Sequence, residues 1–139
     1  MPYATNQSDF LEEQKNRLKS KFQSKFNGFE TKERFTNWYL NELQISENKC
    51  HYCQTSILDI RRLLNAGITK GRKVKGEAFR GANFEVDRKD PDGAYNANNC
   101  VLSCYYCNND KSNTFNYDIY KNIISPSRKA AWDQLIARL

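Results

Sequence analysis

Apolar residues recur along this chain at two different spacings. From residue 10 to 26, Leu11, Leu18, Phe22 and Phe26 follow a helical period. They predict an N-terminal helix capped at Ser8-Asp9 and broken at Asn27-Gly28. A second helix starts near Thr31, whose hydroxyl suits an N-cap, with Glu33 in its first turn. Phe35, Trp38, Tyr39 and Leu43 share its apolar face. A third helix, ILDIRRLLNA, is capped by Ser56 and ended by Gly67. It turns Ile57, Ile60 and Leu64 inward and Arg61 and Arg62 outward. The period then shortens to two. Phe84 and Val86 alternate with Glu85 and Asp87, which predicts a short strand. Pro91-Asp92-Gly93 reads as a turn, Val101-Leu102 as a second strand, and the segment from Cys104 to about Asn113 as the start of a helix. The remainder predicts two helices separated at Pro126, with Trp132, Leu135, Ile136 and Leu139 packing onto the core.

Composition adds a partner class and a weakness. A chain of 139 residues fits one domain, and 39% apolar content makes its core thin. Lys and Arg outnumber Asp and Glu by 22 to 16, a formal net charge of +6, which favours a polyanion such as nucleic acid. The excess has two concentrations. Lys15, Arg17, Lys19, Lys21 and Lys25 crowd the N-terminal helix, within residues 1–30. The run TKGRKVKGEAFRGA supplies Lys70, Arg72, Lys73, Lys75 and Arg80, a flexible basic arm suited to phosphates. The first ten residues carry no signal-peptide pattern, and no stretch approaches the ~20 apolar residues of a membrane span. A cytoplasmic protein without a membrane partner is the expectation.

Five cysteines include two CxxC pairs, Cys50/Cys53 and Cys104/Cys107. In a reducing compartment that pattern points to zinc, since four thiolates complete a tetrahedral shell and leave no open position. The predicted role is a structural staple for the thin core. Cys100 is left over as a small buried residue, and His51, between two ligands, points away from the metal.

The run Val86-Asp87-Arg88, then Asn99, then Cys104-Tyr105-Tyr106-Cys107-Asn108 and Lys111 resembles the HNH, or ββα-metal, endonucleases. The resemblance implies an α+β fold: a small ββα-metal core over residues 31–115, a structural four-cysteine zinc site and flanking α-helices. The basic helix of residues 1–30 lies before that core and the C-terminal helices of residues 116–139 after it. It implies that Asp87 and Asn108 bind a catalytic Mg2+, with Mn2+ as a substitute, and that Asn99 braces the loop. A carboxylate and an amide oxygen suit such an ion and leave positions for a scissile phosphate.

Where the family has its histidine base, this chain has Arg88, which stays protonated and cannot take a proton from water. Three explanations stand: a binding module without cleavage, His51 reaching the site, or another base. The sequence is most similar to the His-lacking restriction endonucleases of PacI type, which also carry Val-Asp-Arg. Phe35-Thr36-Asn37-Trp38-Tyr39 and Cys50-x-Tyr52-Cys53 match them too, so the likeness runs from about Thr31 to Phe115. It implies Tyr39 as the residue that activates water, although the same stripe is what a core helix needs. It also implies Arg88 as a phosphate clamp, with Lys111 and the basic arm on the DNA backbone. The expected activity is hydrolysis of double-stranded DNA by a restriction enzyme, a dimer on a palindrome, or by a phage-borne or homing enzyme. Two other classes stay open: a zinc-stapled DNA-binding protein without catalysis, and an RNA-directed nuclease.

Overall fold

The computed structural model describes residues 2–73 and 79–139. Helix α1 (Gln7–Leu18) is capped by Asn6, not by Ser8-Asp9: the Asn6 side chain accepts the Asp9 N–H at 2.9 Å. Its buried face is Phe10, Gln14 and Leu18, with Leu11 only half-buried. The helix stops at Leu18, and a 3-10 segment, Ser24–Phe29, follows. The expected break at Asn27-Gly28 therefore lies inside a helical element. Gly28 is needed there for space, because a Cβ would stand 2.3 Å from the Tyr95 carbonyl oxygen.

Helix α2 (Lys32–Ile45) is capped by Thr31, as its hydroxyl predicts, and buries Phe35, Tyr39 and Leu43. Aromatic rings bind it to the 3-10 segment. Phe26 stacks on Phe35 at 4.6 Å, Phe29 meets Phe35 edge-on at 5.1 Å, and Phe26 meets Tyr95 edge-on at 5.3 Å. Helix α3 (Ile57–Asn65) begins at Ser56, whose hydroxyl accepts the Leu58 N–H, and Gly67 ends the turn beyond it at φ 71°. Its inward face differs from the one the spacing predicts. Arg61 is fully buried beside Ile57, Ile60 and Leu63, while Leu64 is only half-buried.

Arg61 tolerates burial because acceptors and rings surround it. It donates to the carbonyls of Ala82 (2.7 Å) and Ala4 (3.2 Å), to Asn83 Oδ1 (2.8 Å) and to Glu13 (2.7 Å), and lies 4.7 Å from the Phe10 ring centre. Asn83 Oδ1 also accepts from buried Gln14 at 2.8 Å. A polar tie of this kind joins α1, α3 and the entry to the next hairpin.

The described residues of the basic arm include strands β1 (Arg72–Lys73) and β2 (Phe79–Arg80), which pair antiparallel. Lys75 lies outside the described residues. Strands β3 (Phe84–Arg88) and β4 (Cys100–Cys104) form a second antiparallel pair, in register from Phe84 opposite Cys104 to Arg88 opposite Cys100. Helix α4 (Tyr105–Lys111) follows β4 without a linker. Cys104 ends the strand and caps the helix, its sulfur accepting the Cys107 N–H at 3.4 Å. Strand, loop, strand and helix thus occur in the predicted order within a mixed α+β architecture.

The C-terminal part does not divide at Pro126. A short helix α5 (Tyr117–Ile119), a π segment (Tyr120–Ile124) and helix α6 (Ser125–Ile136) run on directly. In a π register the Lys121 carbonyl would pair with residue 126, a proline without an N–H. The Ser125 hydroxyl supplies the donor instead, at 2.6 Å. Trp132 is buried, Leu135 and Ile136 pack against the core, and Leu139 is exposed. No helix among the described residues is long and apolar enough to cross a membrane.

Candidate functional site

The turn after α2 and the β4–α4 junction bring together Cys50, Cys53, Cys104 and Cys107. All four are buried, and their sulfurs lie within 4.8 Å of one another. The separation of Cys53 and Cys104 is 4.0 Å. Tetrahedral zinc with 2.3 Å bonds needs sulfurs about 3.8 Å apart, so this donor set fits zinc. A backbone N–H supports two of the sulfurs, Cys104 N donating to Cys50 Sγ at 3.3 Å and Cys107 N to Cys104 Sγ. Hydrogen bonds from the Cys104 and Cys107 thiols hold the Cys53 pKa down, while burial pushes Cys104 up. Cys100, on β4, is buried and stands outside the cluster.

His51 turns to the side away from the cysteines. Its Nε2 lies 2.7 Å from the Tyr117 hydroxyl, and the two rings stack. Burial, then Lys121 and Lys89, lower its pKa to about 4. Tyr52, between the same two ligands, packs its ring edge-on against His51 and Tyr117, at 5.2 Å and 5.8 Å. Its hydroxyl donates to Asp87 Oδ2 at 2.5 Å, so the knuckle directly orients a β3 carboxylate. Burial, then Asp87, raise the Tyr52 pKa well above the usual phenol value, which keeps it a donor.

Asp87 and Glu85, two apart on β3, share a strand face, and α4 lies against it. Lys111 Nζ is 3.4 Å from Asp87 Oδ2 and donates to the Arg88 carbonyl at 3.3 Å. One helical turn earlier, Asn108 donates through its amide nitrogen to Glu85 at 2.7 Å. Arg80 also grips Glu85, through both Nε and Nη2. Both recorded contacts of Asp87 fall on Oδ2, and Asn108 uses its nitrogen. The Asp87 Oδ1 and the Asn108 amide oxygen are hard donors of the kind magnesium takes. The Lys111 ammonium beside Asp87 works against a dication there.

These groups open onto a cleft with two adjoining parts. The first, about 300 Å³, is lined by Asp87, Arg88, Asn108, Lys111, Arg80 and Tyr95, among others. The second, about 460 Å³, shares Arg80, Val86, Tyr95 and Asn108 with it and adds Arg17, Lys21, Lys25 and Glu85. Arg88 donates to the Gly93 carbonyl at 3.1 Å and lies 4.5 Å from the Tyr95 ring centre, which fixes its guanidinium in the wall. Asn99 lies between the cleft-side loop and β4. Its side chain accepts the Asp90 N–H and donates to the carbonyls of Asp90 and Ala94, each at 3.0 Å.

Tyr39 lines neither part of the cleft. It is fully buried, with its hydroxyl 3.4 Å from the Phe84 carbonyl and 3.5 Å from Gln14 Oε1, and Arg17 donates to it at 3.4 Å. Burial raises its pKa. This burial stands against Tyr39 as the residue that activates water: its apolar stripe is the core face of α2. Lys70, Arg72 and Lys73 are exposed and also stand outside the cleft, whereas Arg80 from the same hairpin lines both parts.

The sequence reading missed the roles of Glu85, Tyr52 and Tyr95. Glu85 was legible as the i−2 neighbour of Asp87 on one strand face. Tyr52 and Tyr95 reach the site through knuckle and loop geometry that no periodicity encodes. No protein-family model, curated protein or solved structure matches the chain.

Proposed function

We propose that this chain is a metal-dependent endonuclease of the HNH kind, hydrolysing phosphodiester bonds in double-stranded DNA. The observation that carries the reading is the β3–β4–α4 unit, which sets Asp87 and Asn108 in the wall of a cleft shared with Arg80, Arg88 and Lys111. In this reading the four cysteines hold a structural zinc and the unit is a ββα-metal core. Asp87 and Asn108 hold a magnesium ion, which when bound stabilises charge on the phosphate and the leaving oxygen. Arg88, braced by Gly93 and Tyr95, has N–H donors in excess of its one recorded bond for a phosphate oxygen. Among the described residues lining the cleft, the proton acceptors for water are Asp87, Glu85 and the phenols of Tyr95 and Tyr105. Restriction and phage-borne or homing roles share this chemistry.

One observation favours a second reading, a zinc-stapled DNA-binding protein without cleavage. Asp87 is already held by Tyr52 and Lys111, and the only histidine is engaged by Tyr117 and does not line the cleft. Supercoiled plasmid incubated with the protein in magnesium or EDTA separates the two. The expected result is nicked or linear product in magnesium alone, abolished in Asp87→Asn. Retained binding without product, across several DNAs and metals, establishes the second reading. Preferential degradation of RNA would replace the substrate class.

A further inference from the structure

The part of the cleft remote from Asp87 has an unusual charge balance. Arg17 of α1, Lys21 and Lys25 of the following segment, and Arg80 of β2 converge on a space of about 460 Å³. Among the described residues, the one carboxylate in its lining is Glu85, which Arg80 and Asn108 already engage. Lys21 is half-buried there, and its ammonium makes no hydrogen bond or ion pair with another of the described residues.

We infer that Arg17, Lys21 and Lys25 form a second phosphate-binding subsite, which seats a backbone phosphate flanking the one to be cleaved. The inference rests on the nucleic-acid reading above and deepens it. The two parts share Arg80, Val86, Tyr95 and Asn108, so one phosphodiester chain passes from Lys21 to Arg88 and Lys111 along a common wall. The aromatic cluster of Phe26, Phe35 and Tyr95 holds Lys25 in place, its ammonium lying 5.1 Å and 5.7 Å from the Phe26 and Tyr95 ring centres. Repulsion within the cation group is relieved by an anion in its midst. The Lys21 pKa agrees. Burial first, then Arg17, Lys25 and Arg80, lower it to about 8, with Glu85 alone opposing.

A bound phosphate restores the charged form, so binding near pH 8 takes up about half a proton at Lys21. Calorimetric titration of the full chain with duplex DNA in EDTA, at pH 8 in two buffers of different ionisation enthalpy, measures that uptake. Lys21→Arg is expected to bind without it, since arginine is already charged. Lys21→Gln is expected to lose roughly tenfold in affinity and about one unit of salt slope. Lys49→Gln, an exposed change outside the cleft, is the control. Equal affinity and slope in Lys21→Gln and Lys49→Gln, or equal proton uptake in wild type and Lys21→Arg, overturns the subsite while leaving plasmid cleavage intact. Lys21-dependent binding without cleavage leaves the subsite standing and removes the nuclease reading. A wild type that does not bind DNA overturns both.

Discussion

At the scale of single residues, the outcome turns on what a polar side chain meets when the chain closes. Arg61 has the helical position of a surface residue, and its burial became visible only with Ala4, Ala82 and Asn83 around it. Those partners come from two distant segments, and no local pattern names them. Arg61→Met should cost about 3 kcal/mol or more in urea unfolding, because the Ala82 carbonyl loses the Arg61 donor, the Asn83 amide oxygen one of its two donors, and Glu13 its ion pair. Tyr39 is the reverse case: its core stripe was legible, and the resemblance pointed elsewhere. Its contacts are long, 3.4–3.5 Å, so Tyr39→Phe should cost about 1 kcal/mol at most and leave plasmid cleavage near wild type. A thousandfold loss of cleavage in a folded Tyr39→Phe protein would restore the catalytic assignment. Lys21 carries a stability cost with a definite pH window. Its pKa falls from 10.5 unfolded to about 8 folded, so the unfolded chain binds more protons between those values. Stability should therefore rise as pH goes from 8 toward 10.5. Lys21→Gln should be the more stable protein at pH 7, by on the order of 1 kcal/mol, with the gap closing by about pH 10. Denaturant midpoints across that range test the sign.

At the scale of elements, spacing and caps located segments better than they told which faces are buried. Helices α2 and α3 and strands β3 and β4 fall where their spacing and caps put them. Cys104 joins strand to helix in a way the CxxC pattern already anticipates. The first helix is shorter than its stripe because Phe22 and Phe26 serve a different neighbour, the aromatic cluster around Phe35. Pro126 misled for a related reason. Proline ends a helix when its ring meets the preceding turn. Here a π turn and the Ser125 hydroxyl absorb it. Contact between the 3-10 segment and the loop is the least legible. Gly28→Ala, with its Cβ 2.3 Å from the Tyr95 carbonyl, should destabilise the fold by about 1–3 kcal/mol. It should also weaken DNA binding, since Tyr95 and Lys25 line the cleft together. Wild-type stability and affinity in this variant would mean that the segment and the loop move freely apart.

At the scale of the whole molecule, the four cysteines, the cleft and the polar tie through Arg61 form one structure. Removing a structural zinc should cost on the order of 10 kcal/mol, more than a thin core supplies. Chelation, or Cys104→Ser, should abolish cooperative thermal unfolding and the near-ultraviolet circular dichroism of the buried aromatics. A chelated protein that keeps both would show that the aromatic core suffices without the ion. Tyr52 gives the cluster a second reach, because the same turn that holds two sulfurs also holds Asp87. The cluster further joins residues 51 positions apart, Cys53 and Cys104. Closing a loop of that length costs roughly 3 kcal/mol in chain entropy before any contact repays it. On the proposed zinc reading, the cleft has a birth time separate from that of the polypeptide. A finished chain awaiting its ion would then have the right sequence and no cleft, so that metal delivery, not synthesis, would set the moment at which its walls first meet.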